Sequence, residues 1–392
     1  MRLIPIDSIV IDEDIDLDTF ISLSGEILRK GGVDRSVVVD HNLRVVDEKP
    51  LAITLKKLGV KYIPVSEDYS ENTFVSLESL GFFDDVKPSV MRVFRDTEEL
   101  LYRNWPTPLV MLKSLSTKDI RVWAKLEGFN PYSMSVKDRI GWYMYRKAID
   151  RNGSRPLKLL VESTSTNTGL AIAAMCAIHG SKLRAYIPST VSKTGELLLK
   201  IFGVDVIRSQ KALTVELIDD VDKIAREENA VHLNQFHNDA NFEVHLRYTA
   251  KELELQIREA GIRLRGIVGG LGTSGHMSAI SHYFKNRFSN VKIYGVVPKE
   301  GTSIQGIRRV ESGMKWIHKV VFDRIVDVDP DDAAKTVIDI ARREGILIGL
   351  SSGAVAYGFK TLLIEGYIDE GDYILIFPDH GFKYVEQLQR YI

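Results

Sequence analysis

From about Arg121 onward, apolar and β-branched runs alternate with longer stretches of helical period. The runs are RVWAKL, LKLLVE, LRAYIP, VDVIRS, AVHLNQF, RGIVGG, VKIYGVV and DYILIFP. This alternation predicts parallel sheets with helices on both faces. In such folds ligands bind at the C-terminal ends of strands, so chemistry is expected in the loops that follow them. The N-terminal part is patterned differently. Short strand-like pieces (RLIPID, SVVVD, LRVVD, KYIPV) flank one amphipathic helix, KPLAITLKKLG, and Pro50 suits its first turn. A polar stretch at Glu67–Asn72 follows, then a connecting segment to Pro108. Residues 1–92 are expected to form a small α+β extension, and 93–392 the main body.

At 392 residues the chain is too long for one ordinary core. Its formal net charge of −1 gives no reason to expect nucleic acid or an anionic membrane as partner. The N-terminus turns acidic at once, and the best apolar run, LAIAAMCAI, is too short to span a bilayer. A cytoplasmic protein is expected, with no metal site. The one cysteine, Cys176, excludes a disulfide framework and reads as a small buried apolar side chain.

Four strand-end loops carry candidate chemistry. In NPYSMSVKDRIGW, Ser133 and Ser135 precede Lys137, Asp138 and Arg139 at a helix start. Lys137 is either a solvated first-turn charge or a nucleophile. The positive end of the helix dipole and burial would both lower its pKa, and Schiff-base chemistry requires a neutral amine. ESTSTNTG, Glu162–Gly169, offers hydroxyls and N–H groups for a carboxylate, or an over-furnished N-cap. GGLGTSGH, Gly269–His276, can close around a phosphate. It also spells G-x-G-x-x-G through Gly270, Gly272 and Gly275, which would suit an NAD-dependent dehydrogenase, but it comes two-thirds along the chain instead of in an early strand–helix unit. GLSSGAV, Gly349–Val355, places a serine at a fourth helix start, as a cap or facing a ring nitrogen.

Together these loops resemble the fold-type II pyridoxal-phosphate enzymes, in the cysteine synthase and cystathionine β-synthase branch. Asn130–Arg139 fits the signature N-P-x-x-S-V-K-D-R, and the resemblance runs from WPTPLV to FPDHGFKY. It implies two parallel-sheet α/β domains with pyridoxal 5'-phosphate between them. The smaller is expected over 121–240 and the larger over 93–120 plus 241–392. By the same resemblance, Lys137 is the Schiff-base lysine, Asn167 bonds the cofactor's phenolic oxygen, and Ser351 bonds its ring nitrogen. Gly272, Thr273, Ser274, Gly275 and His276 form the phosphate loop. Thr164, Ser165 and Thr168 grip the substrate carboxylate, beside Gln235 and Phe236. Thr166 stands where many members have glycine, and His276 where threonine is usual. The implied reaction is β-replacement through an aminoacrylate, in a homodimer.

The stretch GTSIQGIRRVESG bears on the leaving group. O-acetylserine sulfhydrylases have small uncharged residues after QGI; here Arg308 and Arg309 stand side by side. A phosphoserine side chain carries roughly −1.5 to −2 charge, which an arginine fork can meet. The alternative is a surface salt link to Glu311. SIQGIRRVESG and NQFHNDANFEVH resemble the archaeal O-phosphoserine sulfhydrylases, which implies O-phosphoserine and sulfide as substrates and Arg308 as the phosphate ligand. O-acetylserine sulfhydrylase, cystathionine β-synthase and a catalytically inactive sensor remain alternatives. LRVVDEKPLAITLKKLGVKYIPV resembles ParB-like domains, but Asp47, Glu48, Lys49 and Pro50 stand where their nucleotide-phosphate motif would be, so the extension is expected to be degenerate.

Overall fold

A computed structural model describes residues 2–66, 73–88 and 90–392. The polar stretch at Glu67–Asn72 lies outside the described residues. The extension runs β1 (Arg2–Pro5), α1 (Leu17–Lys30), β2 (Gly32–Val33), β3 (Val37–Val39), β4 (Val45–Asp47), α2 (Lys49–Leu58), β5 (Tyr62–Ser66) and β6 (Val75–Ser76). One sheet has the order β1-β5-β3-β4, and β2 pairs with β6.

The pattern predicts one helix in the extension; the structure has two. Asp16 caps α1, accepting from the Thr19 N–H at 2.8 Å, and Gly31 ends it in the left-handed region. Leu17, Phe20, Ile21, Ile27 and Leu28 keep a helical apolar period in α1, with Ser24 and Gly25 on its buried face. They lie where α1 meets the later helix α10 (Gly275–Arg287): Ser24 Oγ is 2.9 Å from His282 Nε2, and a Cβ on Gly25 would come within 3.2 Å of that ring. Glu48 takes a left-handed turn before α2 and pairs with Arg35, while Lys49 pairs with Glu13.

The main body begins with α3 (Thr97–Tyr102), β7 (Leu109–Met111), β8 (Ile120–Leu126) and α4 (Lys137–Arg151). A parallel four-stranded sheet follows, ordered β11-β10-β9-β12, from β9 (Leu159–Ser163), β10 (Lys182–Ile187), β11 (Asp205–Arg208) and β12 (Val231–His232). The helices α5 (Asn167–His179), α6 (Lys193–Ile201) and α7 (Ile218–Glu227) connect them. AVHLNQF supplies only the two residues of β12, because Asn234 turns the chain through a left-handed φ of 54°.

Next come α8 (Ala240–Val244), a π-turn at His245–Thr249, α9 (Ala250–Glu259), β13 (Leu264–Gly270), α10, β14 (Lys292–Pro298), β15 (Arg324–Val328), α11 (Pro330–Glu344), α12 (Leu350–Ile364), β16 (Gly371–Phe377) and α13 (Val385–Leu388). The largest sheet has the order β15-β14-β13-β16-β8-β7, antiparallel only at β7. One expected boundary is corrected here. β8 falls, but for Ile120, within the span 121–240 expected of the smaller domain, yet all seven of its residues pair with β16. That ladder, and the fully buried Lys125–Glu252 pair at 2.6 Å, hold it in the larger sheet.

The extension shares its core with the main body. One continuous apolar cluster joins Phe20, Leu28, Leu55 and Phe82 to Phe242, Ile257, Tyr283 and Phe284. Charged groups cross the same seam. Lys251 Nζ donates to Phe82 O at 2.6 Å and to Asp85 at 3.0 Å, and Lys57 pairs with Glu243 at 2.8 Å. Among the described residues no helix is long and apolar enough to cross a membrane.

Candidate active site

The strand-end loops converge on one cleft. Its narrow part, about 30 Å³, is lined by Lys137, Asn167, Ser274, His276, Ser351 and Asp379. It opens into about 220 Å³ lined by Ser165, Thr168, Gln235, Phe236, Arg308 and Tyr384, with Lys137 on both walls.

Lys137 is the first residue of α4, and its N–H donates to Ser135 Oγ at 3.1 Å. Loss of hydration in the cleft pushes its amine down from 10.5 to about 8; the Asp379 carboxylate opposes that shift and the Arg308 guanidinium adds to it. Lys137 is half-buried and lines both parts of the cleft, so it is not an outward-facing first-turn charge, and neither are the two residues that follow. Asp138 is buried and accepts from the N–H groups of Tyr132 at 2.7 Å and Ser133 at 2.9 Å, which shapes the turn ahead of the helix. Arg139 is buried between Glu127, at 2.6 and 2.8 Å, and Glu252, with its guanidinium 4.5 Å from the Trp105 ring. Of the three charged residues in the motif, one faces the cleft and two hold it in place.

In the second loop, Thr168 Oγ1 donates to Gln235 Oε1 at 2.7 Å, and Gln235 Nε2 donates to Ser163 O at 3.1 Å. Buried Glu162 accepts from the N–H groups of Asn234 and Gln235 at 3.0 and 3.2 Å, tying that segment to the end of β9. Ser165 and Thr168 line the cavity. Thr164 departs from expectation: its hydroxyl accepts the Gly169 N–H at 2.9 Å, so the side chain closes its own loop and does not face the cleft. The bulk of Thr166 is accommodated by α6, where a Cβ on Gly195 would stand 2.4 Å from Thr166 Oγ1.

The third loop has the form of an anion cradle. Ser274 sits at φ 72°, and left-handed residues of this kind curve successive N–H groups into a concavity. Gly275 then starts α10, adding the favourable end of a helix dipole. Thr273 Oγ1 accepts from Asn241 Nδ2 at 2.9 Å. Burial pushes the His276 imidazole down to about 3, so it is neutral, and its ring packs edge-on to His245 at 4.8 Å. Asn167 Oδ1, Ser274 Oγ and His276 Nε2 are buried without partners among the described residues. A row of unsatisfied polar atoms beside a lysine, in a cleft with a phosphate cradle at one end and Ser351 on its wall, fits pyridoxal phosphate.

The adjacent arginines separate. Arg308 points into the cavity over the Phe236 ring at 5.0 Å, and burial pushes its guanidinium down to about 10. It donates to the oxygens of Gly272, Ser312 and Gly313, and among the described residues no carboxylate pairs with it. Arg309 turns outward to Asp327 at 3.0 Å and Glu311 at 3.2 Å. The salt link to Glu311 thus belongs to Arg309. Asp379 and Tyr384 also line the cleft and were not singled out from the sequence. Their signal was FPDHGFKY, polar residues directly after an apolar strand.

The family of pyridoxal-phosphate dependent enzymes matches residues 100–379. Cysteine synthase B of Escherichia coli is 32% identical over 283 residues, covering 71% of this chain and 91% of that protein. Cysteine synthase B of Pseudomonas aeruginosa is 34% identical over 285 residues, covering 71% of this chain and 93% of its own length. The crystal structure of a cysteine synthase (OASS) from Entamoeba histolytica superposes with a TM-score of 0.67 at 28% identity, over 78% of this chain and 93% of that one.

Proposed function

Since the chain belongs to the pyridoxal-phosphate dependent enzymes, in the cysteine synthase family, we propose that it makes L-cysteine from O-phospho-L-serine and sulfide, releasing phosphate. The observation that carries this reading is Arg308, a desolvated guanidinium beside Lys137 with no carboxylate partner among the described residues. Four neutral oxygens take four of its five N–H donors, which leaves one N–H and a full positive charge for a ligand. An acetyl ester needs no such charge; a phosphate monoester buried there would be costly without it.

Pyridoxal phosphate, when bound, supplies the electron sink for the pair released as the substrate's α-proton departs. Lys137 is the group placed to take that proton, and desolvation brings its amine into the range where it can both accept and return it. The β-carbon–oxygen bond then breaks, and its electron pair leaves with the phosphate, whose charge Arg308 meets. Sulfide forms the new carbon–sulfur bond, and the proton returns to the α-carbon. Ser165, Thr168 and Gln235 orient the substrate carboxylate, and Gln235 is held for this by Thr168 and by the Glu162 bonds to its loop.

Replacing Arg308 with alanine tests the substrate. Losing a hydrogen bond to a charged group costs about 1.5–3 kcal/mol, so kcat/KM for O-phosphoserine should fall by roughly tenfold to a hundredfold or more. With O-acetylserine it should stay within a few-fold. Arg309→Ala, which breaks the pairs to Asp327 and Glu311 and a bond to Pro298 O, all away from the cleft, should leave both within a few-fold. Equal losses with both substrates in the Arg308 variant would mean that it shapes the cleft without reading the phosphate.

A further inference from the structure

Asp379 is the first polar residue after β16 and Pro378, and it touches three of the four strand-end loops, those of Lys137, Asn167 and Ser351. Its main chain bridges to Ser135, two residues before Lys137, and its carbonyl accepts the Gly349 N–H at 3.0 Å. Its side chain is 1% exposed. Oδ2 accepts from Asn167 Nδ2 at 2.9 Å and from the Tyr384 hydroxyl, and Lys383 Nζ stands 3.7 Å away. Oδ1 has no partner among the described residues. Room for it is made deliberately. Gly349 has an ordinary φ of −74°, so its glycine is not needed for backbone conformation, yet a Cβ there would stand 1.9 Å from Asp379 Oδ1. The first glycine of GLSSG is thus explained by the carboxylate behind it.

We propose that Asp379 is a positioning residue of the reaction: it fixes which end of the Asn167 amide faces it, and it places a negative charge opposite Lys137. A carboxylate only accepts, so it selects the amide nitrogen. Nδ2 is thereby committed to Asp379, and Oδ1, buried without a partner among the described residues, is left as the end of the amide free for a ligand. This inference rests on the proposed function. An asparagine whose neighbour could both donate and accept would be free to flip, and a flipped amide would present its nitrogen where Oδ1 now stands. The charges that act on Lys137 are Asp379 and, against it, Arg308; His276 and His245 nearby are held neutral by burial.

The test uses the full-length holoenzyme and its Asp379→Asn variant, which keeps size while removing the charge and the acceptor-only character. The visible absorption band of bound pyridoxal phosphate should remain but move in wavelength, and its affinity should fall about tenfold, the loss expected of one hydrogen bond to a charged group. The pH midpoint of that band should drop, because a negative charge that favours the protonated nitrogen at Lys137 is gone. On an Asn167→Ala background, Asp379→Asn should no longer weaken the affinity, while the fall in midpoint should persist. Unchanged affinity and midpoint in a folded Asp379→Asn protein would overturn the inference, and so would equal affinity losses on both backgrounds. Should Asp379→Asn not accumulate folded, Tyr384→Phe removes one of the two donors to Oδ2. It should lower cofactor affinity in the same direction, and no change there overturns the inference equally. A wild-type protein that takes up no pyridoxal phosphate would sink the proposed function itself, a separate result from any difference between the variants.

Discussion

At the residue scale, desolvation at the start of α4 is what lowers the Lys137 amine. An amine of pKa about 8 is roughly one-tenth neutral at pH 7, against about one part in three thousand at the ordinary lysine value. Raising the pH removes the proton, so the rate at which the cofactor-free protein captures pyridoxal phosphate should rise and level off above about pH 8. In Arg308→Ala the midpoint should move up, because a positive charge that disfavours the protonated amine has been removed. Stopped-flow absorbance over a pH series measures both, and a wild-type plateau reached only near the ordinary lysine range would refute the desolvated placement. The lysine was legible in the sequence from its motif, and its neighbours in space were not. Asp379 lies 242 positions away from Lys137 along the chain, and only the pairing of β8 with β16 brings the two loops together.

At the element scale, α4 and β8 are locked beneath the site by a buried ionic network of Arg139, Glu127, Glu252 and Lys125, all four fully buried. Burial works to raise the Glu127 carboxyl, but Arg139 and Lys125 more than offset it and hold it down at about 2. Its contribution to stability is present above the ordinary carboxylate range and is lost as pH falls toward about 2. Arg139→Ala leaves two carboxylates in the core with only Lys125 between them, and should cost about 3–5 kcal/mol in denaturant unfolding. A loss below 1 kcal/mol would mean that water or a shifted Lys125 replaces the guanidinium. The parallel strands of the main body were legible because their apolar runs are long and bounded by turns. α1 was legible too, since Leu17, Phe20, Ile21, Ile27 and Leu28 keep a helical period, although only one helix was expected in the extension. β8 was recognisable as a strand but not as a member of the larger sheet, because sheet partners are set by non-local pairing.

At the scale of the whole molecule, the extension is a structural part of the enzyme. Deleting residues 1–92 would expose Ile257, Tyr283 and Phe284 and strip Lys251 of Phe82 O and Asp85 and Glu243 of Lys57. The truncated chain should accumulate mainly as insoluble protein, and any soluble fraction should unfold at lower denaturant than the full chain. A truncation that stays soluble and melts like the parent would show that the shared core is dispensable. The continuity of that core also bears on descent. A domain merely tethered to an older enzyme can be gained or lost by one joining event, leaving both surfaces as they were. Here α10 presents Tyr283 and Phe284, and α9 Ile257, to the core shared with the extension, so a chain without the extension needs a different, polar face there. Discarding the extension would therefore require rewriting that face first.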